Sequence, residues 1–251
     1  MFHQIEITTK CNFRCFYCAG RDMRQRHMGE AVFQNILGRL NHGRHYVSLQ
    51  GEGEPTLHPH FWNWVSNVSK AGYIPFTITN GSLIDPGLAN SHFPTLGISL
   101  DTVDADEAER IGRRNLDQTL ERVDRLIESM GADRIIVYSV DYGQNLAPLK
   151  SFLLVRGIRR HLIQQLQRKS DYARRYAELL SPRINERKSC QPCRYLTWPR
   201  MRFFNVEGIE FPCCFIKDSA DYQGAHDLRL RFAAGQIPQV CSGCAEILEA
   251  A

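Results

Sequence analysis

The nine cysteines of this 251-residue chain fall into two groups near its two ends. Cys11, Cys15 and Cys18 form the first group, called here the cysteine triad, and the other six lie between positions 190 and 244. In a reducing compartment, clustered thiols serve metal binding or catalysis more often than disulfides. The layout therefore predicts two metal sites, one in each group.

The cysteine triad has the spacing C-x3-C-x2-C. Three thiolates so close together can hold three irons of one [4Fe–4S] cluster, and no neighbouring residue offers a fourth ligand. The fourth iron is then open to an external molecule. A zinc knot is the alternative, but structural zinc usually takes four ligands and C-x2-C spacing. We therefore expect an iron–sulfur cluster with one open position.

The run Cys11–Cys18, with Tyr17 as the aromatic residue before its last cysteine, resembles the signature of the radical S-adenosylmethionine (SAM) superfamily. The resemblance implies that SAM binds the open iron and that Tyr17 lies beside its adenine. The run Gly51–Pro55 is similar to the family's glycine–glutamate motif, which holds the SAM amino group. This implies that Gly53 and Glu54 offer an exposed backbone and a carboxylate to an ammonium. A solvated turn would give the same short run.

Two further polar residues come at the ends of later predicted strands. Asn80 lies in the run Thr79-Asn80-Gly81, and Ser99 begins the run Ser99-Leu100-Asp101. By the same resemblance, they are candidate contacts for the ribose and the carboxylate of SAM. A turn residue and a strand-end cap would explain them equally well, so both explanations stay open.

The chemistry that the resemblance implies belongs to the cofactor. A reduced cluster passes one electron to SAM, and the resulting 5′-deoxyadenosyl radical abstracts a hydrogen atom from the substrate. The resemblance also implies an external one-electron donor of the flavodoxin or ferredoxin type. The task of the protein is to place the substrate hydrogen near the radical and to exclude water and oxygen.

The second cysteine group contains two C-x2-C pairs, Cys190–Cys193 and Cys241–Cys244, with Cys213 between them. Two such pairs suggest a zinc ribbon, but their separation exceeds the usual ribbon spacing. The run Gly208–Cys213 resembles the G-x4-C turn that opens SPASM and Twitch domains, which hold auxiliary [4Fe–4S] clusters. The few residues after the last pair favour the shorter Twitch form, with one auxiliary cluster.

This second resemblance implies that Cys193, Cys213, Cys241 and Cys244 ligate the auxiliary cluster, with Cys190 as the alternative to Cys193. Zinc in place of iron is the alternative metal. A segment this short has little core of its own, so a bound metal would stabilise its fold.

Cys214 is left over as a spare thiol. In related radical SAM epimerases, a thiol near the cavity donates a hydrogen atom to the substrate radical, and the resemblance suggests that role for Cys214. A small buried side chain beside a cluster ligand is the simpler interpretation.

Strand-like and helix-like runs alternate up to about residue 166, as βα units with a parallel sheet require. We predict strands over His3–Thr9, His45–Gln50, Pro75–Thr79, Thr95–Leu100, Arg134–Val140 and Ile158–Leu166. We predict helices over Ala31–Leu40, Phe61–Ala71, Asp85–Asn90, Asn115–Met130 and Leu146–Val155. Right-handed crossovers curl such a sheet into a partial (β/α)6 TIM-like barrel, an α/β fold here followed by a small cysteine-rich iron–sulfur domain. The active site is expected at the carboxyl ends of the strands.

We place the barrel in residues 1–188 and the auxiliary cluster domain in residues 189–251. Hydrophobic residues make up 43% of the chain, which is enough for a buried core. No apolar run approaches the roughly 20 residues that span a bilayer, and the first residues lack the pattern of a signal peptide. We therefore predict a cytoplasmic protein that has no membrane partner.

The segment Arg156–Lys188 is strongly basic, with ten Lys and Arg against three Asp and Glu, although the net charge of the chain is only +4. Beside the cavity, this segment would attract a phosphorylated or otherwise acidic small molecule. RNA binding is an alternative, but no aromatic stacking platform accompanies the charges. A solvated helical face explains them most simply. We therefore expect a small-molecule substrate and no nucleic acid.

Together with the resemblance, these features predict a radical SAM oxidoreductase or epimerase. We expect dehydrogenation or epimerisation of a small polar natural-product intermediate, as in Twitch-bearing enzymes of aminoglycoside pathways. Modification of a ribosomally made peptide or protein is the alternative. Enzymes of that kind commonly carry a leader-peptide domain, for which the start of the sequence at its first strand leaves no room. A non-catalytic electron-transfer module would not need Gly53, Glu54 or Asn80.

Overall fold

The computed structural model of the protein describes residues 1–41, 43–167, 169, 172, 193–197, 201–216, 222–244 and 246–247. Its strands are β1 Phe2–Ile5, β2 Tyr46–Leu49, β3 Ile74–Phe76, β4 Ile78–Thr79, β5 Leu96–Ser99, β6 Ile135–Asp141, β7 Arg160–Gln165, β8 Met201–Phe204 and β9 Glu210–Phe211. Its helices are α1 Glu30–Gly38, α2 Phe61–Lys70, α3 Pro86–His92, α4 Ala105–Ile111, α5 Leu116–Met130, α6 Ala147–Val155, α7 Arg194–Thr197 and α8 Ala225–Ala233. In the described part of the chain, none of these helices combines the length and the apolar character needed to cross a membrane.

The strands form two sheets that continue one another around Thr77. One sheet has the order β3-β2-β1-β8-β9, and the other has the order β4-β5-β6-β7. The Thr77 hydroxyl donates to the Leu49 carbonyl at 2.8 Å, and the Thr77 carbonyl accepts the Gly97 N–H at 2.9 Å. Every pairing from β8 round to β7 is parallel. This arrangement confirms the predicted α/β partial barrel.

The predicted helices agree with the observed ones to within two residues at either end. Local signals account for this agreement. Asp85, for example, caps α3 by accepting the Leu88 N–H at 2.8 Å, and Pro86 occupies the first turn. The predicted strand Pro75–Thr79 is instead split into β3 and β4, because Thr77 joins the two sheets.

The strand β8 is the main element that the sequence analysis missed. It pairs in parallel with β1, with Phe2 opposite Met201 and Ile5 opposite Phe204. A strand from the cysteine-rich end of the chain therefore extends the sheet of the barrel. The helices α4 and α8 and the short antiparallel strand β9 were also not predicted.

Two apolar cores support these elements. The larger core lies between the barrel strands and the outer helices, where the rings of Phe33 on α1 and Trp64 on α2 stack at 4.1 Å. The smaller core belongs to the C-terminal segment and contains Phe203, Phe211 and Phe232. Burying each side chain of this size contributes about 1.5–3 kcal/mol. The smaller core also contains most of the remaining cysteines.

Candidate active site

The cysteine triad lies in the loop that follows β1. Within the loop, the Cys18 N–H donates to the Cys15 carbonyl at 3.0 Å, and the Phe13 N–H donates to the Cys11 sulfur at 3.4 Å. All three thiols line two neighbouring open cavities of about 290 and 200 Å³. The structure thus brings the predicted ligands together at the carboxyl end of β1, facing open space.

The loop is held against the end of α4, a helix that the sequence analysis did not predict. The Arg14 N–H donates to the Gly112 carbonyl, and the Phe16 N–H donates to the Ile111 carbonyl, both at 3.0 Å. Gly112 has a φ of +103°, and a Cβ atom there would lie 2.4 Å from the Arg14 carbonyl oxygen. Only glycine therefore allows this close approach without displacing the triad loop.

The glycine–glutamate run packs directly on the triad loop. The Glu54 N–H donates to the Lys10 carbonyl at 2.8 Å. A Cβ atom on Gly53 would lie 2.5 Å from the Thr8 carbonyl oxygen and 2.6 Å from that of Lys10. The absence of a side chain at Gly53 is thus required by the backbone contact between the ends of β1 and β2. It also leaves the backbone of Gly53 exposed to the cavity.

The carboxylate of Glu54 is buried, with only 2% of the residue exposed. It accepts hydrogen bonds from the Asn80 N–H at 2.7 Å, the Thr79 hydroxyl at 2.6 Å and the Thr56 hydroxyl at 2.5 Å. Burial raises the pKa of Glu54, while these hydrogen bonds oppose that shift. The side chain therefore fixes the end of β4 against the glycine–glutamate run, and it also borders the cavity.

Asn80 connects the end of β4 to the triad loop. Its side-chain amide donates to Asn12 at 2.9 Å and lies 3.9 Å from the Cys11 sulfur. Its carbonyl oxygen accepts from the Ser82 hydroxyl at 2.7 Å. Asn80 therefore makes the turn contacts that one explanation expected, and it also lines the cavity beside the triad. Its contact with SAM stays a prediction. Asn12 and Ser82 were not singled out from the sequence.

Tyr17 and Ser99 meet in a buried polar network around Arg113. The guanidinium donates to the Ser99 hydroxyl at 2.9 Å and to the Tyr17 hydroxyl at 3.1 Å, and it forms an ion pair with Asp101 at 2.5 Å. The Tyr17 hydroxyl itself donates to Asp101. Burial raises the pKa of Tyr17 well above its usual value, so the phenol stays protonated. Arg113, Tyr17 and Ser99 all line the cavity beside the triad.

Arg113 is the residue that the sequence analysis missed. It is 6% exposed and its partner Asp101 is 1% exposed. Removing one partner of such a buried pair costs about 3–5 kcal/mol. No sequence motif identifies Arg113, because only folding brings its side chain next to Ser99. A basic residue directly after a loop glycine, as Arg113 is after Gly112, has no recognisable signature of its own.

The donor set of the triad fits an iron–sulfur cluster. Burial raises the pKa of Cys11 to about 11 and that of Cys18 well above its usual range, and neighbouring thiols and carboxylates add to the shift. Buried thiolates therefore need a positive partner, which a metal cluster supplies. The triad offers three such thiols beside open space.

A second set of thiols lies in the smaller apolar core. Cys193 and Cys213 are buried there, and Cys241 and Cys244 pack against the same core. Burial raises the pKa values of Cys213, Cys241 and Cys244 to about 12, and the negative charge of neighbouring thiolates in the same core raises them as well. We call these four residues the C-terminal cysteine set. Like the triad, they require a positive partner to become thiolates.

Cys214, Cys190 and the basic segment are the remaining predicted features of this region. Cys214 is partly buried in the smaller core next to Cys213 and lines neither of the two cavities beside the triad. Cys190 lies outside the described residues, as does most of the basic segment after Gln167. Within the described residues, no group of three or more histidine, cysteine, aspartate or glutamate side chains is set for a single metal ion. A [4Fe–4S] cluster differs in binding each thiolate to a different iron.

A partial parallel barrel with a three-cysteine loop at the carboxyl end of its first strand defines a class of enzymes that bind SAM on an iron–sulfur cluster. The sequence matches the family described as the radical SAM superfamily over residues 5–154. The chain therefore belongs to the radical SAM superfamily. Its cofactors are a [4Fe–4S] cluster and SAM, as the triad predicted, and enzymes of this family take an electron from an external reductant.

Curated relatives match part of the chain. A GTP 3′,8-cyclase from Marinobacter nauticus is 33% identical over 133 residues, which is 48% of this chain and 39% of that protein. A SAM-dependent nucleotide dehydratase from a Thermoplasmatales archaeon is 32% identical over 113 residues, 43% of this chain and 41% of that protein. The chain spans about half the length of the curated relatives that it matches.

Solved structures extend the likeness to nearly the whole chain. SuiB of Streptococcus suis bound to SAM superposes with a TM-score of 0.66 at 15% identity, over 96% of this chain and 66% of that one. BtrN in complex with SAM and 2-DOIA superposes with a TM-score of 0.54 at 13% identity, over 97% of this chain and 92% of that one. At these identities the likeness establishes the fold.

Proposed function

We propose that this radical SAM enzyme dehydrogenates a small polar molecule and holds one auxiliary [4Fe–4S] cluster. The observation that carries the proposal is the C-terminal cysteine set, four thiols gathered in one small apolar core. Four thiolates occupy all four irons of a cubane cluster. Such a site has no position for a substrate ligand and is suited to accept an electron.

The barrel residues bind and orient the cofactor in this proposal. The triad holds the cluster, and when bound the cluster and SAM supply a 5′-deoxyadenosyl radical. Gly53 presents its exposed backbone, and Glu54 its negative charge, to the SAM amino group. Tyr17 would lie beside the adenine, and Asn80 and Ser99 would contact the ribose and the carboxylate. All five residues line one cavity with the triad, which supports this assignment.

The C-terminal cysteine set favours oxidation over epimerisation. A substrate C–H bond first loses a hydrogen atom to the radical. The substrate radical then loses one electron to the auxiliary site and one proton to water, and a double bond forms. Epimerisation would instead need a thiol that returns a hydrogen atom. The location of Cys214 in the smaller core, away from the cavities beside the triad, supports the oxidative outcome.

Nucleotides are the first class of substrate to test. Two curated relatives are named for reactions of GTP and of nucleotides, and nucleotides are small polar molecules. Peptides form the second class, because SuiB has also been solved with its precursor peptide SuiA. A cytoplasmic location and a donor of the flavodoxin or ferredoxin type remain predictions.

We also retain residues 1–188 as the radical-forming part and residues 189–251 as the auxiliary part. In this division, β8 is shared. It belongs to the auxiliary part by sequence and extends the sheet of the radical-forming part by pairing with β1.

Anaerobic reconstitution followed by metal analysis tests the two-cluster proposal. We expect about eight irons per chain, four at each site. A Cys213→Ala/Cys241→Ala variant should hold about four irons and still cleave SAM. Four irons together with one zinc in the unmodified chain would contradict the auxiliary cluster.

The dehydrogenation is tested by mass spectrometry after incubation with SAM, reductant and a panel of nucleotides. We expect 5′-deoxyadenosine to form in proportion to a product that has lost two hydrogens. A product of unchanged mass and inverted configuration would replace this proposal with epimerisation.

A further inference from the structure

Lys169 is a buried lysine in the middle of the basic segment. Only 3% of the residue is exposed, although lysine is almost never fully buried unless it has a partner. Its ammonium donates to the carbonyl of Phe215, two residues after Cys213. The ammonium is therefore anchored beside one of the proposed cluster ligands.

The charge of Lys169 acts on most of the C-terminal cysteine set. It favours the thiolate forms of Cys213, Cys241 and Cys244, so that it lowers their pKa values against the larger opposing effect of burial. Glu246 faces the set as well, and its charge opposes the thiolate form of Cys193. The site thus has a cation on one side and a carboxylate near Cys193.

A second contact links the same region to the cysteine triad. The Tyr172 ring lies 5.9 Å from the Lys169 ammonium, and the Tyr172 hydroxyl donates to Glu52 at 3.3 Å. Glu52 in turn accepts from the thiol of Cys18 at 3.4 Å. Contacts through Tyr172 and Glu52 therefore connect Lys169 to the cysteine triad as well as to the C-terminal set.

A cation in this position has a defined effect on a thiolate-bound cluster. Four thiolates give a [4Fe–4S] cluster a net negative charge, and reduction adds another. A fixed positive charge in a buried site stabilises the more negative, reduced state more strongly. The same charge therefore makes the site a better electron acceptor.

We infer that Lys169 is a positioning residue that raises the reduction potential of the auxiliary cluster, so that the cluster can take one electron from a substrate radical. This inference rests on the auxiliary cluster proposed above. It adds that the electron-accepting property depends on one buried charge outside the ligand set. The hydrogen bond to Phe215 holds that charge in place.

The experiment isolates the auxiliary site by using a Cys11→Ala/Cys15→Ala/Cys18→Ala background, which removes the triad. In this background we compare Lys169→Gln, Lys169→Met and Lys169→Arg, with the exposed Lys150→Gln on α6 as the matched control. Iron is counted after reconstitution, and the midpoint potential is measured by redox titration followed with electron paramagnetic resonance. Gln can keep the hydrogen bond to Phe215, whereas Met cannot.

We expect Lys169→Gln and Lys169→Met to shift the oxidised-to-reduced ratio at a fixed potential at least tenfold toward the oxidised form, about 59 mV for one electron. Lys169→Arg and Lys150→Gln should leave the potential near that of the background. A background chain without iron would refute the auxiliary cluster itself.

Other outcomes bear on Lys169 alone. A chain that keeps about four irons but shows the same potential in Lys169→Gln would overturn the inference. If the Gln and Met variants lose iron while the Arg variant keeps both iron and potential, the role of the charge is upheld. Loss of iron in all three would show a packing role instead.

Discussion

The two cysteine groups place the same ligand in opposite surroundings. The triad sits on a loop that is fixed by backbone hydrogen bonds and by the close approach of Gly112, and its thiols line open cavities. The C-terminal set lies within an apolar core beside aromatic side chains. A rigid loop with three thiols leaves one iron for a cofactor, whereas four thiols in a core leave none. In the proposed function, the surroundings and not the ligand type separate the radical-forming site from the electron-accepting one.

The two groups share one property despite this difference. Burial raises the pKa of Cys11 to about 11 and that of Cys241 to about 12. Cys11 and Cys241 are therefore neutral thiols near neutral pH until a metal binds, and binding releases protons. Cluster loading at both sites is expected to weaken as the pH falls.

Replacing the three cysteines of the triad is expected to have the largest effect of the variants considered. Replacing Cys11, Cys15 and Cys18 with Ala should abolish formation of 5′-deoxyadenosine, because in the described residues no other group of three thiols borders the cavity proposed for SAM. The C-terminal set should still bind about four irons. Chromatography of the SAM products and iron analysis measure both effects. SAM cleavage that persists in this variant would contradict the assignment of the triad.

Removing a member of the C-terminal set should give the opposite pattern. In Cys241→Ala, SAM cleavage continues, because the triad is intact, but the oxidised product falls to the background level. The ratio of product to 5′-deoxyadenosine is the measurement. A ratio equal to that of the unmodified chain would mean that the C-terminal set does not accept the electron.

A glycine pair tests whether the triad depends on its backbone. In Gly112→Ala, the new Cβ atom meets the Arg14 carbonyl oxygen at 2.4 Å at a φ of +103°, so we expect a loss of about 1–3 kcal/mol together with reduced loading of the triad cluster. Gly131→Ala is the control, because its φ is +84° but a Cβ atom there would meet nothing within 4 Å. Urea unfolding and iron analysis of both variants make the comparison. Equal cluster loading in the two would show that the contact is dispensable.

The smallest effect is expected at the spare thiol. Cys214→Ala should change the yield of oxidised product by less than about twofold. Cys214 packs in the smaller core, and neither the hydrogen abstraction nor the electron transfer of the proposed reaction uses its thiol. Product yield and configuration are measured by mass spectrometry and chiral chromatography. A loss of turnover with intact iron content would support the alternative hypothesis that Cys214 donates a hydrogen atom to the substrate radical.

How much the sequence predicts depends on how local each signal is. The triad, the strand-end motifs and the helix caps could be found because their residues are neighbours in the chain, as Asp85 and Pro86 at α3 illustrate. The pairing of β8 with β1 could not be found, because the partner strands begin at Phe2 and Met201. Nothing local marks a parallel pairing over such a distance.

The same reasoning explains the gaps in the site. Folding brings Arg113 and Asp101 together as a buried ion pair, and no sequence motif contains both residues. Glu54 could be placed on the cavity from its glycine–glutamate run, but its hydrogen bonds to Thr79 and Asn80 come from the next strand. Lys169 lies in a segment whose charges suggest a solvated face, whereas its own side chain is buried.

The pairing of β1 with β8 also sets an order of assembly. A ribosome releases β1 long before β8, so the edge of β1 that pairs with β8 has no partner strand until Phe204 has been made. An open strand edge is a template for mispairing with other chains. The segment that carries the C-terminal cysteine set is thus also the one that closes this edge. Its arrival covers the edge of the strand that leads into the triad.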